Sequence, residues 1–150
     1  MRIVKAINFD VNNGEGFRLS VWVSGCPIRC KGCHNKDLWD ENLGVEYSKE
    51  VEDKLMEMLK DPNIKGLSIL GGEPLAPYNC EGVKQLCIRA NNECPEKDIW
   101  LWTGYHVSRV IDLHLDTLVD VVIDGEFKEE LKSNNLQWRG SENQVLRRFV

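Results

Sequence analysis

The sequence lacks long apolar runs. Nowhere in its 150 residues do about 18 apolar residues follow one another, so no transmembrane helix is expected. It lacks a basic excess as well: 19 Lys and Arg stand against 24 Asp and Glu, a formal net charge of -5. That balance argues against nucleic acid as the main partner, because phosphate contacts need dense Lys and Arg. The opening residues Met1-Arg2-Ile3-Val4-Lys5 carry neither the apolar core nor the cleavage site of a signal peptide. The expected location is the cytoplasm, with no membrane partner. Linkers rich in Pro, Gly or Ser, internal repeats and low-complexity stretches are also missing, which predicts one domain over residues 1–150. The chain is too short for a closed eight-fold (β/α) barrel, which takes about 250 residues. What is present is a globular composition, 42% apolar, with six cysteines. Without an export signal those cysteines point to metal binding or redox chemistry rather than to a disulfide framework.

Residues 18–24 (RLSVWVS) alternate Leu19, Val21 and Val23 against Ser20 and Trp22, which predicts a first strand. A cysteine loop follows. Ser48 is positioned to cap a helix over residues 49–60, whose Val51, Leu55, Met58 and Leu59 share one face. Asp61-Pro62 ends it. The short run 66–70 between glycines predicts a buried strand entering Gly71-Gly72-Glu73-Pro74. Asn79 is the expected cap of a second helix over 80–92. A strand over 99–102, a short helix over 106–113, a strand over 118–123 and a last strand around 144–150 complete the pattern. Strand–helix alternation of this kind predicts βα units on a parallel sheet, where ligands gather at the carboxyl ends of strands. The segments following the strands are the cysteine loop, GGEP, TGY and DGE, so all four are expected on one rim.

Cys26, Cys30 and Cys33 form a CxxxCxxC pattern, three thiols within eight residues. Structural zinc sites and ferredoxin-type clusters use four ligands. Three cysteines on a cubane cluster leave one iron open to bind something else. A zinc knuckle completed by His34 or a distant residue, and a thiol–disulfide pair at Cys30 and Cys33, remain alternatives. Asn13-Gly14-Glu15-Gly16 reads either as a flexible turn or as a loop over the cluster. The GGEP turn lets backbone approach a ligand closely, and its carbonyl or N–H groups suit an ammonium or a carboxylate.

A CxxxCxxC after one strand with GGE after the next resembles the radical S-adenosylmethionine enzymes. The segments SGCPIRCKGCHN, GGEPL, CPEKDIWLWTGY, VIDGEF and WRGSENQ, spread over residues 11–144, resemble more narrowly the family that activates anaerobic (class III) ribonucleoside-triphosphate reductases. This resemblance implies an α/β fold, an open and truncated (β/α) partial barrel. It implies a [4Fe-4S] cluster ligated by Cys26, Cys30 and Cys33, with S-adenosylmethionine chelating the fourth iron. One electron from the cluster would cleave the cofactor to methionine and a 5′-deoxyadenosyl radical, which takes a hydrogen from a glycine of the reductase and leaves a glycyl radical. A flavodoxin-like or ferredoxin-like protein would supply the electron. Gly32, Cys33 and His34 would lie beside S-adenosylmethionine. Gly71, Gly72 and Glu73 would bind its amino group, largely through backbone atoms. Thr103 and Asp124 would contact its ribose or carboxylate. Trp138, Arg139 and Gly140 belong to the WRGS motif, which would either dock the reductase or close the fold. Two positions depart from the family: His34 stands where many members carry Tyr, and Glu73 where some carry Asp. A small radical carboxy-deazaguanine synthase would share the size and the chemistry but lack WRGSENQ. An electron carrier or a zinc module would have no use for GGEP.

Cys80, Cys87 and Cys94 recur every seven residues and read as buried or semi-buried thiols rather than a second cluster, with Cys80 the more exposed. His106 and His114 read as surface or capping residues. Trp100 and Trp102 face the side of their strand opposite to Ile99 and Leu101.

Overall fold

The computed structural model describes residues 1–149. Its strands are β1 (Arg2–Asp10), β2 (Arg18–Val23), β3 (Val45–Glu46), β4 (Gly66–Gly71), β5 (Asp98–Thr103), β6 (Val121–Asp124) and β7 (Val145–Arg148). Its helices are α1 (Lys49–Leu59), α2 (Cys80–Glu93) and α3 (Val107–Asp112). The strands form one open sheet in the order β3-β1-β2-β4-β5-β6-β7. The inner four, β2, β4, β5 and β6, are parallel. β1 and β7 flank them antiparallel. The chain is therefore α/β with a mixed sheet, parallel in its middle, whose two edges do not meet.

Two strands were not foreseen. β1 keeps no strict alternation because its register against β2 shifts between Ile3 and Lys5 and again between Ile7 and Asp10. Each shift moves the following side chains to the other face, and the period-2 signal disappears. β3 holds only two residues. The last strand is foreseen in place, although Val150 lies outside the described residues.

Period 2 sorts the inner strands cleanly. Leu19, Val21, Leu67, Ile69, Ile99, Leu101 and Val122 face one side and pack against Leu55, Met56 and Leu59 of α1, Val83, Leu86 and Cys87 of α2, and Val110 of α3. The opposite face carries Trp22, Leu70, Trp100, Trp102, Val121 and Ile123, and Leu38 from a single 3-10 turn (Lys36–Leu38) and Trp138 from a loop cover part of it. Helices thus shield one face only. On the other face lies Arg18, 0% exposed. It pairs with Asp98 at 2.8 Å, donates to Ser68 Oγ and the Leu67 carbonyl, and stacks over Trp100. A buried guanidinium is tolerable only when its donors are met in this way.

Ser48 caps α1 as expected, its hydroxyl accepting from the Val51 N–H. Asn79 does not cap α2. Its side-chain amide is buried and donates to the carbonyls of Ser24 (2.9 Å) and Glu73 (3.0 Å), stitching the end of β2 to the turn after β4. The segment Asn13–Gly16 does not reach over the cysteine loop. It precedes β2, at the opposite end of that strand. There Arg18 donates to the Glu15 carbonyl and Ser68 to the Asn13 carbonyl.

Candidate functional site

Because β2, β4, β5 and β6 run the same way, Val23, Gly71, Thr103 and Asp124 end on one rim, and the four segments that come after them gather there as expected. Cys26, Cys30 and Cys33 all line one cavity on this rim, together with Gly71, Gly72, Glu73 and Thr103. Two left-handed residues, Arg29 (φ 52) and Gly32 (φ 76), fold the cysteine loop back on itself. The loop is anchored by the Gly25 N–H on the Leu38 carbonyl at 2.6 Å.

The Asn35 N–H donates to the Cys33 sulfur at 3.3 Å. The N–H groups of Arg29 and Ile28 lie near the Cys26 sulfur and that of Phe127 near Cys30. Burial pushes the Cys26 and Cys30 thiols above their ordinary values, while these N–H groups favour the thiolate. N–H donors aimed at cysteine sulfurs suit an iron–sulfur centre, whose potential they help set. Among the described residues no three His, Cys, Asp or Glu side chains stand close enough to grip a single ion. A cluster does not require this, since each thiolate takes its own iron. His34 is turned to the ring of Phe127 (centroids 5.6 Å apart) and lines a neighbouring groove rather than the cysteine cavity.

The two glycines at the end of β4, Gly71 and Gly72, are a steric necessity. A Cβ on Gly71 would lie 2.2 Å from the Val23 carbonyl oxygen, and one on Gly72 2.2 Å from that of Gly25. The N–H groups of Gly72 and Glu73 donate to those same two carbonyls, at 2.9 and 2.7 Å. Those two N–H groups are thus closed to a ligand, and the carbonyl oxygens of the turn, that of Gly71 already accepting from Asn35 Nδ2 at 3.4 Å, match an ammonium and not a carboxylate.

Glu73 is buried and acts as a strut. Its carboxylate accepts from Leu75 N–H (2.8 Å), Thr103 Oγ1 (2.7 Å) and Gly104 N–H (2.6 Å), tying the turn to the end of β5. The Thr103 hydroxyl is thus engaged, though the residue lines the cavity. Asp124 does not line it. Its oxygens accept from the Val107 N–H and the Arg147 guanidinium, which holds α3 and β7 to the end of β6. Gly32 lies beside Glu129 rather than on the cavity wall.

Burial holds the Glu73 carboxyl above its ordinary range, against its three donors. The folded state therefore keeps this proton to higher pH than the unfolded state. Glu73 contributes most stability below about pH 4.3, and the contribution falls as pH rises through the raised value. Glu73→Gln cannot titrate, and its NH2 cannot accept from Leu75 N–H. It is expected to destabilise by about 1–3 kcal/mol at acidic pH. The gap to wild type should narrow as pH rises. Urea midpoints of both proteins across pH test this, and a gap that widens would refute the burial argument.

Sequence reasoning missed several residues. Gly104 and Gly125 line the cavity and directly follow β5 and β6, so the rule that located the rim could have found them. Phe127 and Asn35 end the VIDGEF and SGCPIRCKGCHN segments but draw no role from them, and Asn79 reads in sequence only as a helix cap. Gln144, from WRGSENQ, lines the cavity too. Its Oε1 accepts from the N–H groups of Gly140 and Ser141, and its Nε2 donates to the Gly125 carbonyl. With the Trp138 carbonyl accepting from Trp102 Nε1, this motif braces the β6 side of the rim.

An open α/β sheet with three cysteines on one cavity at its carboxyl rim fits the class of single-centre iron–sulfur proteins. Residues 12–147 match the family described as 4Fe-4S single cluster domain. The chain is 48% identical over 145 residues to an anaerobic ribonucleoside-triphosphate reductase-activating protein of Vibrio cholerae, covering 94% of each chain. Its counterpart in Escherichia coli is 43% identical over 141 residues, 91% of this chain and 92% of that one. One from Enterobacteria phage T4 is 39% identical over 137 residues, 91% of this chain and 87% of that one. The chain belongs to the family of anaerobic ribonucleoside-triphosphate reductase-activating proteins. No helix among the described residues is long and apolar enough to cross a membrane.

Proposed function

We propose that this chain is a radical S-adenosylmethionine activase that installs a glycyl radical on an anaerobic ribonucleoside-triphosphate reductase. The observation that carries this reading is the cavity itself: three thiols line it, opposite a turn whose Gly72 and Glu73 N–H groups are already bonded and whose carbonyl oxygens face a ligand. Cys26, Cys30 and Cys33 would hold a [4Fe-4S] cluster by three irons. The carbonyls at Gly71 and Gly72 would receive the amino group of S-adenosylmethionine, with Glu73 fixing them against β5. When bound, cluster and cofactor together supply one-electron cleavage of a carbon–sulfur bond and hence a carbon radical. The chain's own part is to orient the two and to keep water away, through Ile28, Leu70, Ile123 and Phe127 on the cavity wall.

Residues 1–150 act in this reading as one domain, a truncated (β/α) barrel working in the cytoplasm. The open sheet supports it, because the reacting glycine belongs to another folded chain and a closed barrel would exclude it. A flavodoxin-like or ferredoxin-like protein supplies the electron.

The test is anaerobic reconstitution, reduction and electron paramagnetic resonance. A reduced [4Fe-4S] signal that changes on adding S-adenosylmethionine is expected. A signal indifferent to it would favour an electron carrier. Stoichiometric zinc without iron would exclude the radical chemistry.

A further inference from the structure

The cysteine cavity opens sideways into a groove on the helix-free face of the sheet. Cys33, Asn35, Leu70, Trp102, Phe127 and Gln144 line both. The groove runs from the rim across Leu70 and Trp102 towards Asn12 and Asn13, and the segment 132–140 forms its other wall.

Its chemistry differs from that of the rest of the surface. Among the described residues no Asp or Glu lines it, although the chain carries a net charge of -5. Lys132 and Arg139 do. Lys132 is exposed, and Arg139 uses one amino group on the Gln144 carbonyl (2.6 Å). Asn12, Asn35 and Asn134 present exposed carboxamides along it. A carboxamide both donates and accepts, so a row of them serves the alternating N–H and C=O groups of an extended backbone. Trp102 and Trp138 add flat apolar walls. A cationic, acid-free groove on an acidic protein attracts negative charge where most of the surface repels it.

We infer that this groove seats an extended segment of the reductase, with an Asp or Glu of that segment against Lys132 and Arg139 while a small residue reaches the cysteine cavity. The inference rests on the activase reading and adds to it the path of entry and the charge of the entering segment. Continuity supports it: the groove leads straight to Cys33. By contrast, the hollow on the far side of the cysteine loop mixes charges, with Asp37, Asp40 and Glu41 beside Arg29 and Lys36.

The test titrates the reductase subunit from the same genome into the anaerobically reconstituted protein, by calorimetry at two salt concentrations. Lys132→Glu is expected to weaken binding about tenfold, and Asn134→Asp less, with both effects shrinking at higher salt. Both residues are exposed, and retained iron content shows that each variant is folded. Lys54→Glu, on the far side of α1, should bind like wild type. If Lys132→Glu and Asn134→Asp bind as tightly as wild type, the groove assignment fails. A wild type that binds the reductase but does not cleave S-adenosylmethionine overturns the proposed chemistry and leaves the groove standing. A wild type that does not bind the reductase overturns both.

Discussion

Replacing Cys30 with alanine is expected to abolish iron–sulfur content and activity while leaving the metal-free chain as stable as wild type to within about 0.5 kcal/mol. Cys30 is half-buried, and its sulfur lies near the Phe127 N–H on a cavity wall, not a packed core. Replacing Cys87 with serine should do the reverse. Cys87 is 0% exposed, packed between α2 and the sheet, and burial pushes its thiol up to about 12. A hydroxyl there is buried among apolar side chains with only the carbonyl one helical turn back to bond, which costs about 1–3 kcal/mol. Iron content and activity per folded molecule should be unchanged. Iron analysis, the reduced spectrum and urea denaturation of both variants separate the two roles. Loss of iron in Cys87→Ser, or its retention in Cys30→Ala, would invert the assignment of the six cysteines.

That Cys26, Cys30 and Cys33 gather on one cavity while Cys87 and Cys94 are buried was readable from spacing. Three thiols within eight residues after a strand must converge on something, whereas thiols seven apart on a helix stack along its buried face. The rim was readable for a similar reason. Parallel strands bring the loops that leave their carboxyl ends to one side of the sheet, so short apolar runs ending in glycine mark a site even before its chemistry is known. Contacts far along the chain were not legible in the sequence. Asn79 has the right identity and place for a helix cap, yet its amide serves Ser24, 55 residues away. Asp124 ends a strand on the rim and turns to Arg147, not to the cavity. Thr103 reaches the cavity wall, but its hydroxyl is taken by a carboxylate 30 residues earlier. β1 was hidden by its own register shifts. The groove beside the cavity was invisible for the same reason as these distant contacts, because its walls come from the loops around Asn12, Asn35, Asn134 and Trp138, which only the fold brings together.

The second large effect is expected at Gly72. Gly72→Ala places a methyl group 2.2 Å from the Gly25 carbonyl oxygen, and that atom cannot move freely because it accepts the Glu73 N–H at 2.7 Å. Relieving the clash means breaking the contact that joins the cysteine loop to the turn after β4. Such a backbone conflict costs about 3–5 kcal/mol, at the extreme for single substitutions. A domain with about 5–15 kcal/mol of stability still folds, but with its rim sprung open. A displacement of about 1 Å between cofactor and reacting group costs around a hundredfold in rate. Activity should therefore fall further than stability explains. Gly82→Ala is the control within the same chain. There the nearest atoms to the new methyl group all belong to the Met1 side chain, at 2.9–3.0 Å, which must shift at the start of the chain, while alanine in place of glycine inside α2 gains up to about 1 kcal/mol. Urea midpoints should drop for Gly72→Ala and hold or rise for Gly82→Ala. The spectral change on adding S-adenosylmethionine should disappear in the first and persist in the second. A Gly72→Ala protein that keeps both its stability and that spectral response would show that the turn tolerates displacement, and the carbonyls of Gly71 and Gly72 would lose their place in the binding of the cofactor.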